Sequence, residues 1–365
     1  MLKQDLLNFS FEELQTFCLS NNLPKFRATQ IWRWVYCFGL QSFMEMSNIS
    51  KSTRTVLKEL FIITRPQVSE MKESKDGTIK WLIKLKDGSE IETVYIPQDD
   101  RGTVCLSSQV GCTLNCSFCH TGTQALVRNL TSGEIIGQLM LVMDYLSDWP
   151  SGKNHRKVTN VVMMGMGEPL LNYVEVSKAI KLMMSDDGIS LSRRKITLST
   201  SGIIPNIDKA GSELGVNLAI SLHAVNDELR DKLVPINKKY NLEDLINSCR
   251  DYPNLSNSRR ITWEYVMLKD INDSEEDAYN LIKLIRGIPS KINLIPFNPW
   301  PGSLFETSSQ HKIDNFAKII MDAGFASPIR KPRGQDIYAA CGQLKSETEK
   351  IRKSQLNRLV PIHSI

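Results

Sequence analysis

Apolar and polar positions along this chain change their period twice. Up to about residue 65 the spacing is helical. Ser10-x-x-Glu13 forms a capping box ahead of Leu14, Phe17 and Cys18, and further helices fit 29–36 and 51–61. From 78 to 97 the period drops to two. Ile79, Trp81, Ile83 and Leu85 alternate with Lys80 and Lys84, Asp87-Gly88 supplies the turn, and Ile91, Thr93 and Tyr95 alternate on the return. Beyond about residue 103, strand-like and helical stretches take turns. Strands are predicted at 104–107, 160–164, 195–199, 216–222, 261–267 and 291–296. Helices are predicted at 131–146 (opened by Thr131-x-x-Glu134), 173–185, 203–213, 242–251, 274–287 and 310–323. Six β/α units imply a parallel sheet with outer helices. Six strands are too few to close an eight-stranded barrel, so an α/β partial (β/α)6 barrel with a wide mouth is the expectation. The chain divides on this reading into a helical N-terminal accessory domain (1–70), a linking β-hairpin (71–100), the barrel (101–343) and a charged, mobile tail (344–365).

Composition narrows the class. The chain has 365 residues, 41% of them apolar, enough for one large core and a smaller domain. No apolar run is long enough to span a bilayer, and the start lacks the basic and apolar regions of a signal peptide. A cytoplasmic location without membrane contact is expected. Eight cysteines in that setting point to metal or redox chemistry rather than a disulfide framework. The formal charge of +5 is only mildly basic. The clusters Arg193-Arg194-Lys195, Lys238-Lys239, Arg259-Arg260 and Arg330-Lys331-Pro332-Arg333 are either solvated faces or RNA contacts. The stretch from Lys25 to Trp34 interleaves basic and aromatic residues. It reads as a helix with Ile31 and Trp34 in the core and Lys25, Arg27 and Arg33 in water, or as a surface that stacks bases and meets phosphates.

Three cysteines fall within eight residues, Cys112, Cys116 and Cys119, spaced C-x3-C-x2-C. Thiolates suit zinc or iron–sulfur clusters. A structural zinc site closes with four ligands, usually as two separated pairs, and this chain has no second C-x2-C pair. A [4Fe–4S] cluster usually takes four cysteines, so three would leave one iron open to an outside ligand. Zinc and unligated thiols remain the alternatives. The loop follows the first barrel strand, at the end where β/α barrels place their chemistry. Gly165-Met-Gly-Glu-Pro169 ends the second strand, where glycines let backbone approach a ligand and Glu168 can accept from an ammonium group. Ser199, then Ser221, Leu222 and His223, then Asn298 end the third, fourth and sixth strands, and their recurrence at one rim is what a cofactor site requires. Glu92 shares a strand face with Val94 and Ile96. It either sits on a solvated edge or lines a pocket, where burial would suit it to proton transfer. Isolated cysteines usually behave as small hydrophobes, a reading kept for Cys18, Cys37 and Cys249. Cys341, among small residues in Ala339-Ala-Cys-Gly-Gln343, looks instead like a reactive thiol on an accessible loop.

The C-x3-C-x2-C loop with Phe118 before its last cysteine resembles the signature of radical S-adenosylmethionine (SAM) enzymes. Cys105-Leu-Ser-Ser-Gln-Val-Gly-Cys112, Met164-Gly-Met-Gly-Glu-Pro169, Leu198-Ser-Thr-Ser-Gly202, Ser221-Leu-His-Ala224 and Ala339-Ala-Cys-Gly-Gln343 are similar to the RlmN family of adenine-C2 methyltransferases, from about Phe26 to Gln343. The resemblance implies a [4Fe–4S] cluster on Cys112, Cys116 and Cys119. It implies SAM held by Gly167, Glu168, Ser199, Ser221, Leu222, His223 and Asn298, and two SAM consumed per methylation. By the same resemblance, Cys341 is methylated and carries the carbon to the ring, Glu92 accepts the C2 proton, and Cys105 forms a disulfide with Cys341 as product is released. The implied partners are 23S rRNA in the peptidyl transferase region, tRNA at the adenosine 3′ of the anticodon, and a flavodoxin-type electron donor; the implied state is a monomer. The competing resemblance is to Cfr-type enzymes, which methylate adenine C8.

Overall fold

The computed structural model describes residues 3–152 and 156–346. Nine strands form one sheet in strict chain order: β1 Gln67–Glu73, β2 Ile79–Lys84, β3 Glu90–Gln98, β4 Arg101–Cys105, β5 Asn160–Met163, β6 Ile196–Thr200, β7 Asn217–Ser221, β8 Ile261–Met267 and β9 Ser290–Pro296. The first four pair antiparallel. From β4 onward every pair is parallel, as the six β/α units predicted. The hairpin is therefore hydrogen-bonded into the barrel sheet, with Val94 opposite Cys105.

Three helices precede the sheet: α1 Phe11–Ser20, α2 Phe26–Tyr36 and α3 Lys51–Leu60. The crossovers carry α4 Ser132–Tyr145, α5 Tyr173–Met184, α6 Ile204–Glu213, α7 Asp227–Leu233, α8 Leu242–Arg250 and α9 Glu275–Leu284, and α10 Gln310–Asp322 follows β9. The capping boxes at Ser10/Glu13 and Thr131/Glu134 are both formed, so two helix starts lie where the residues announced them. Two elements were not foreseen. β1 is exposed at every residue, so it has no apolar alternation to read. Helix α7, Asp-Glu-Leu-Arg-Asp-Lys-Leu, has only Leu229 and Leu233 as an apolar face, and its Asn226 cap, accepting from Leu229 N–H, is its main local signal.

One apolar cluster runs from Leu6 and Trp32 in the N-terminal helices through Ile136 and Leu198 to Phe316 in α10. On α2 the core face is Ile31, Trp32 and Val35. Trp34 is only half-buried, its Nε1 donating to Asn48 Oδ1 at 2.7 Å, so Trp32 takes the core place expected for Trp34. Residues 344–346 begin the expected tail but are packed, with Leu344 and Ser346 buried; the rest of that tail lies outside the described residues.

Candidate active site

The loop after β4 folds back on itself so tightly that glycine is required within it. A Cβ on Gly122 would lie 2.6 Å from the Cys116 carbonyl oxygen. Cys119 N–H donates to Cys116 O (3.1 Å) and Gly122 N–H to Cys119 O (3.0 Å). The loop thereby presents Cys112, Cys116 and Cys119 to one cavity, together with Gly167, Glu168, Ser199, Ser221, His223, Asn298 and Cys341. Burial pushes the Cys112 thiol up to about 12 and raises Cys116 and Cys119 as well, the neighbouring thiols adding to the effect on Cys116. These sulfurs need a strong cationic partner to be thiolates. Among the described residues no three His, Cys, Asp or Glu side chains are set to hold a metal ion. The three thiols of this loop would instead suit an iron–sulfur cluster, which cysteine thiolates hold.

The opposite wall is built from strand tips. Gly167 has φ +95°, and a Cβ there would lie 2.4 Å from Gln109 Cβ, so the turn admits only glycine. Next to it, Glu168 accepts from Leu170 N–H (3.0 Å) and Ser201 N–H (2.9 Å). Burial still raises its carboxyl to about 7. His223 adopts a left-handed φ of +62°, which places its Nδ1 to accept from Val266 N–H at 3.0 Å. Burial, with the Arg230 charge beside it, lowers His223 to about 3, so it stays neutral. Leu222 is fully buried and is not at the cavity surface; its N–H donates to Glu264 O and its carbonyl accepts from Arg230 Nε. Asn298 uses both ends of its amide within the protein, donating to Cys341 O (3.2 Å) and accepting from Gln335 Nε2 (3.0 Å).

The segment carrying Cys341 is stitched to the cysteine loop. His120 N–H donates to Gly342 O (2.8 Å), Thr121 Oγ1 to Leu344 O (2.6 Å) and Gln124 Nε2 to Ser346 O (2.6 Å). Cys341 is exposed at the cavity, while Cys105 is buried. Burial pushes the Cys105 thiol up to about 12, Cys341 adds to this and Arg330 opposes it. Glu92 is not at the cavity. Its carboxylate pairs with Lys80 Nζ at 2.7 Å and accepts from Lys345 N–H at 2.8 Å, both side chains nearly sealed from water. Burial raises its pKa, with Lys80 pulling the other way.

The profile of the ribosomal RNA large subunit methyltransferase N-terminal domain matches residues 4–63, and that of the radical SAM superfamily matches 106–282. A dual-specificity RNA methyltransferase RlmN of Bradyrhizobium sp. (strain BTAi1 / ATCC BAA-1182) is 59% identical, over 96% of this chain and 90% of its own. The RlmN of Brucella melitensis biotype 2 (strain ATCC 23457) is 56% identical over 97% and 90%. The chain belongs to the RlmN family. A solved radical SAM methyltransferase from Sphaerobacter thermophilus superposes with a TM-score of 0.86 at 39% identity, covering 94% of this chain and 99% of its own. Within this RlmN-family fold, sequence reasoning missed three residues that shape the site. Arg230 is completely buried and bonds Leu222 O, Asn237 Oδ1, Ser201 O and Ser221 O, tying two strand tips together. Trp300 stacks on His120 at 4.6 Å and donates to Phe118 O. Lys80 holds a polar position in the alternation of its strand, yet it is buried against Glu92. An arginine in a charged helix and a lysine in an alternating strand both look solvated, so only Trp300, an aromatic beside the sixth strand tip, carried a usable signal.

Proposed function

We propose that this radical SAM RNA methyltransferase methylates C2 of an adenine in 23S rRNA and in tRNA, by way of an S-methylated Cys341. The observation that carries this is the meeting of Cys341 with the three-cysteine loop in one cavity, with Cys105 buried close behind. The residues fit the cofactors the family implies: three half-buried thiols gathered at one cavity, and polar strand tips lining the same cavity. Cys112, Cys116 and Cys119 would hold a [4Fe–4S] cluster. Gly167, Glu168, Ser199, Ser221, His223 and Asn298 would hold SAM, with Leu222 as the packed wall behind them. When bound, this pair supplies a methyl group and a carbon-centred radical.

Adenine C2 is electron-poor and has no electron pair to displace a methyl group from sulfur, so a carrier is needed. Cys341 would bear the carbon to the ring, Glu92 would accept the C2 proton, and Cys105 would release the product by forming a disulfide with Cys341. That disulfide must be reduced between turnovers, which suits a reducing cytoplasm. Glu92 is committed to Lys80 and to Lys345 N–H, so the segment around Cys341 must lift before Glu92 meets a base. A flavodoxin-type protein would deliver the electron, and a monomer suffices for every step. The relatives matched over nearly the whole chain carry the RlmN name, which favours C2 over the Cfr-type C8 reaction.

Digesting RNA treated with the enzyme and comparing it with 2-methyl- and 8-methyladenosine standards tests the site of methylation; 8-methyladenosine would overturn it. Cys105→Ala is expected to trap a covalent RNA adduct at Cys341, detected by gel shift and peptide mass spectrometry. Normal turnover in that variant would remove the role given to Cys105.

A further inference from the structure

Arg330 stands in sequence at the head of a basic run with Lys331 and Arg333, but the fold turns it inward. Residues 326–330 lie along β9, with Ala326 bridged to Lys291 and Ile329 to Leu294. Arg330 N–H donates to Leu294 O at 2.8 Å. From this edge its Nη2 donates to Cys341 Sγ at 4.0 Å. The titratable groups beside the guanidinium are Cys341 first, then Glu264 and Cys105, with Lys291 also nearby. Glu264 already bonds Asn293 Nδ2 at 2.8 Å. A neutral thiol is a weak acceptor, whereas a guanidinium is a permanent cation with five donors. A thiolate is the partner such a placement suits, since a neighbouring arginine favours the anionic, nucleophilic form.

We propose that Arg330 is a further catalytic residue, the cation that holds the Cys341 sulfur as a nucleophile and faces Cys105 for the exchange that follows. This rests on Cys341 being the carbon carrier. In the loading step the Cys341 sulfur forms a bond to the methyl carbon of a sulfonium. The sulfonium C–S bond breaks, and its electron pair leaves on a neutral thioether. The thiolate charge is consumed, so Arg330 acts by keeping the nucleophile available before the step.

The test uses full-length, anaerobically reconstituted protein. Iodoacetamide labelling of Cys341 is followed by peptide mass spectrometry at one fixed pH, with Cys37 as internal control. Methyl loading of Cys341 from SAM is followed in parallel. Arg330→Gln and Arg330→Met are expected to slow both about tenfold, and Arg330→Lys to restore most of the rate, while Cys37 labels as before. Two neutral variants keep the test open if one misfolds. Labelling of Cys341 at the wild-type rate in either neutral, folded variant would overturn the assignment. RNA methylation by a Cys341→Ala protein would instead overturn the carrier reading, a result distinct from the labelling rate.

Discussion

Arg230 gives its guanidinium to three backbone carbonyls and to Asn237, and Asn237 in turn donates to Asp227 and Asp231. Burial lowers its pKa only to about 10, so it remains a cation. Replacing it by methionine leaves four acceptors without their donor. The expected loss is about 3 kcal/mol, because hydrogen bonds to charged groups are worth more than neutral ones and the orphaned carbonyls stay buried. Urea unfolding of the metal-free protein measures this, and an unchanged midpoint would show the network to be dispensable. The same logic applies to Lys80 and Glu92. Lys80→Met leaves a carboxylate buried with Lys345 N–H as its remaining partner, and about 3 kcal/mol of stability should go with it. Neither residue advertises itself locally, since burial of a charge is decided by what packs over it.

Between strands and helices, the segment 333–346 is held by the turn joining β1 to β2. Asp76 accepts from Gly334 N–H at 3.0 Å, and Asp336 accepts from Ser74 Oγ at 2.6 Å. Burial raises the Asp76 carboxyl, but bonds from Thr78, Gly334 and Ser74 outweigh this and bring it to about 2. Its folded value lies below the ordinary 3.8. The contribution is therefore present above that pH and is lost as pH falls through about 2. Asp76→Ala should raise hydrogen exchange across 333–346 at neutral pH while leaving β5–β8 protected. Uniform exchange in both proteins would show that the turn does not anchor the Cys341 segment. The helix starts at Ser10 and Thr131 were legible because a capping box is complete within four residues. β1 and α7 were not, because their stability comes from Ile79–Lys84 beside the one and the Asn237 network beneath the other.

Across the whole molecule, the N-terminal helices and the barrel share one core. Trp32 Nε1 donates to Ser185 Oγ at 3.0 Å, Gly133 N–H to Asn8 Oδ1 at 3.0 Å, and Arg65 pairs with Asp144 at 2.6 Å. A protein starting at residue 67 would expose the faces of α4 and α5 that these helices cover. It is expected to melt at least ~5 °C lower or to aggregate, since core apolar area is lost; a barrel with the parent's midpoint would contradict the shared core. Among the described residues no helix is long and apolar enough to cross a membrane.

The six parallel β/α units, the three-thiol loop and the positions that fall at strand tips were readable from the chain alone, because period and spacing are properties of neighbouring residues. Leu222 belonged to the expected rim by position, yet its side chain is packed away from the cavity. The meeting of Cys341 with that loop depends on contacts from residues 120–124 and 298 to residues 341–346. The inward turn of Arg330 and the burial of Lys80 with Glu92 likewise depend on segments far apart in the chain. Those were decided only in three dimensions, since a side chain's partner and its solvent are set by whatever the fold brings beside it.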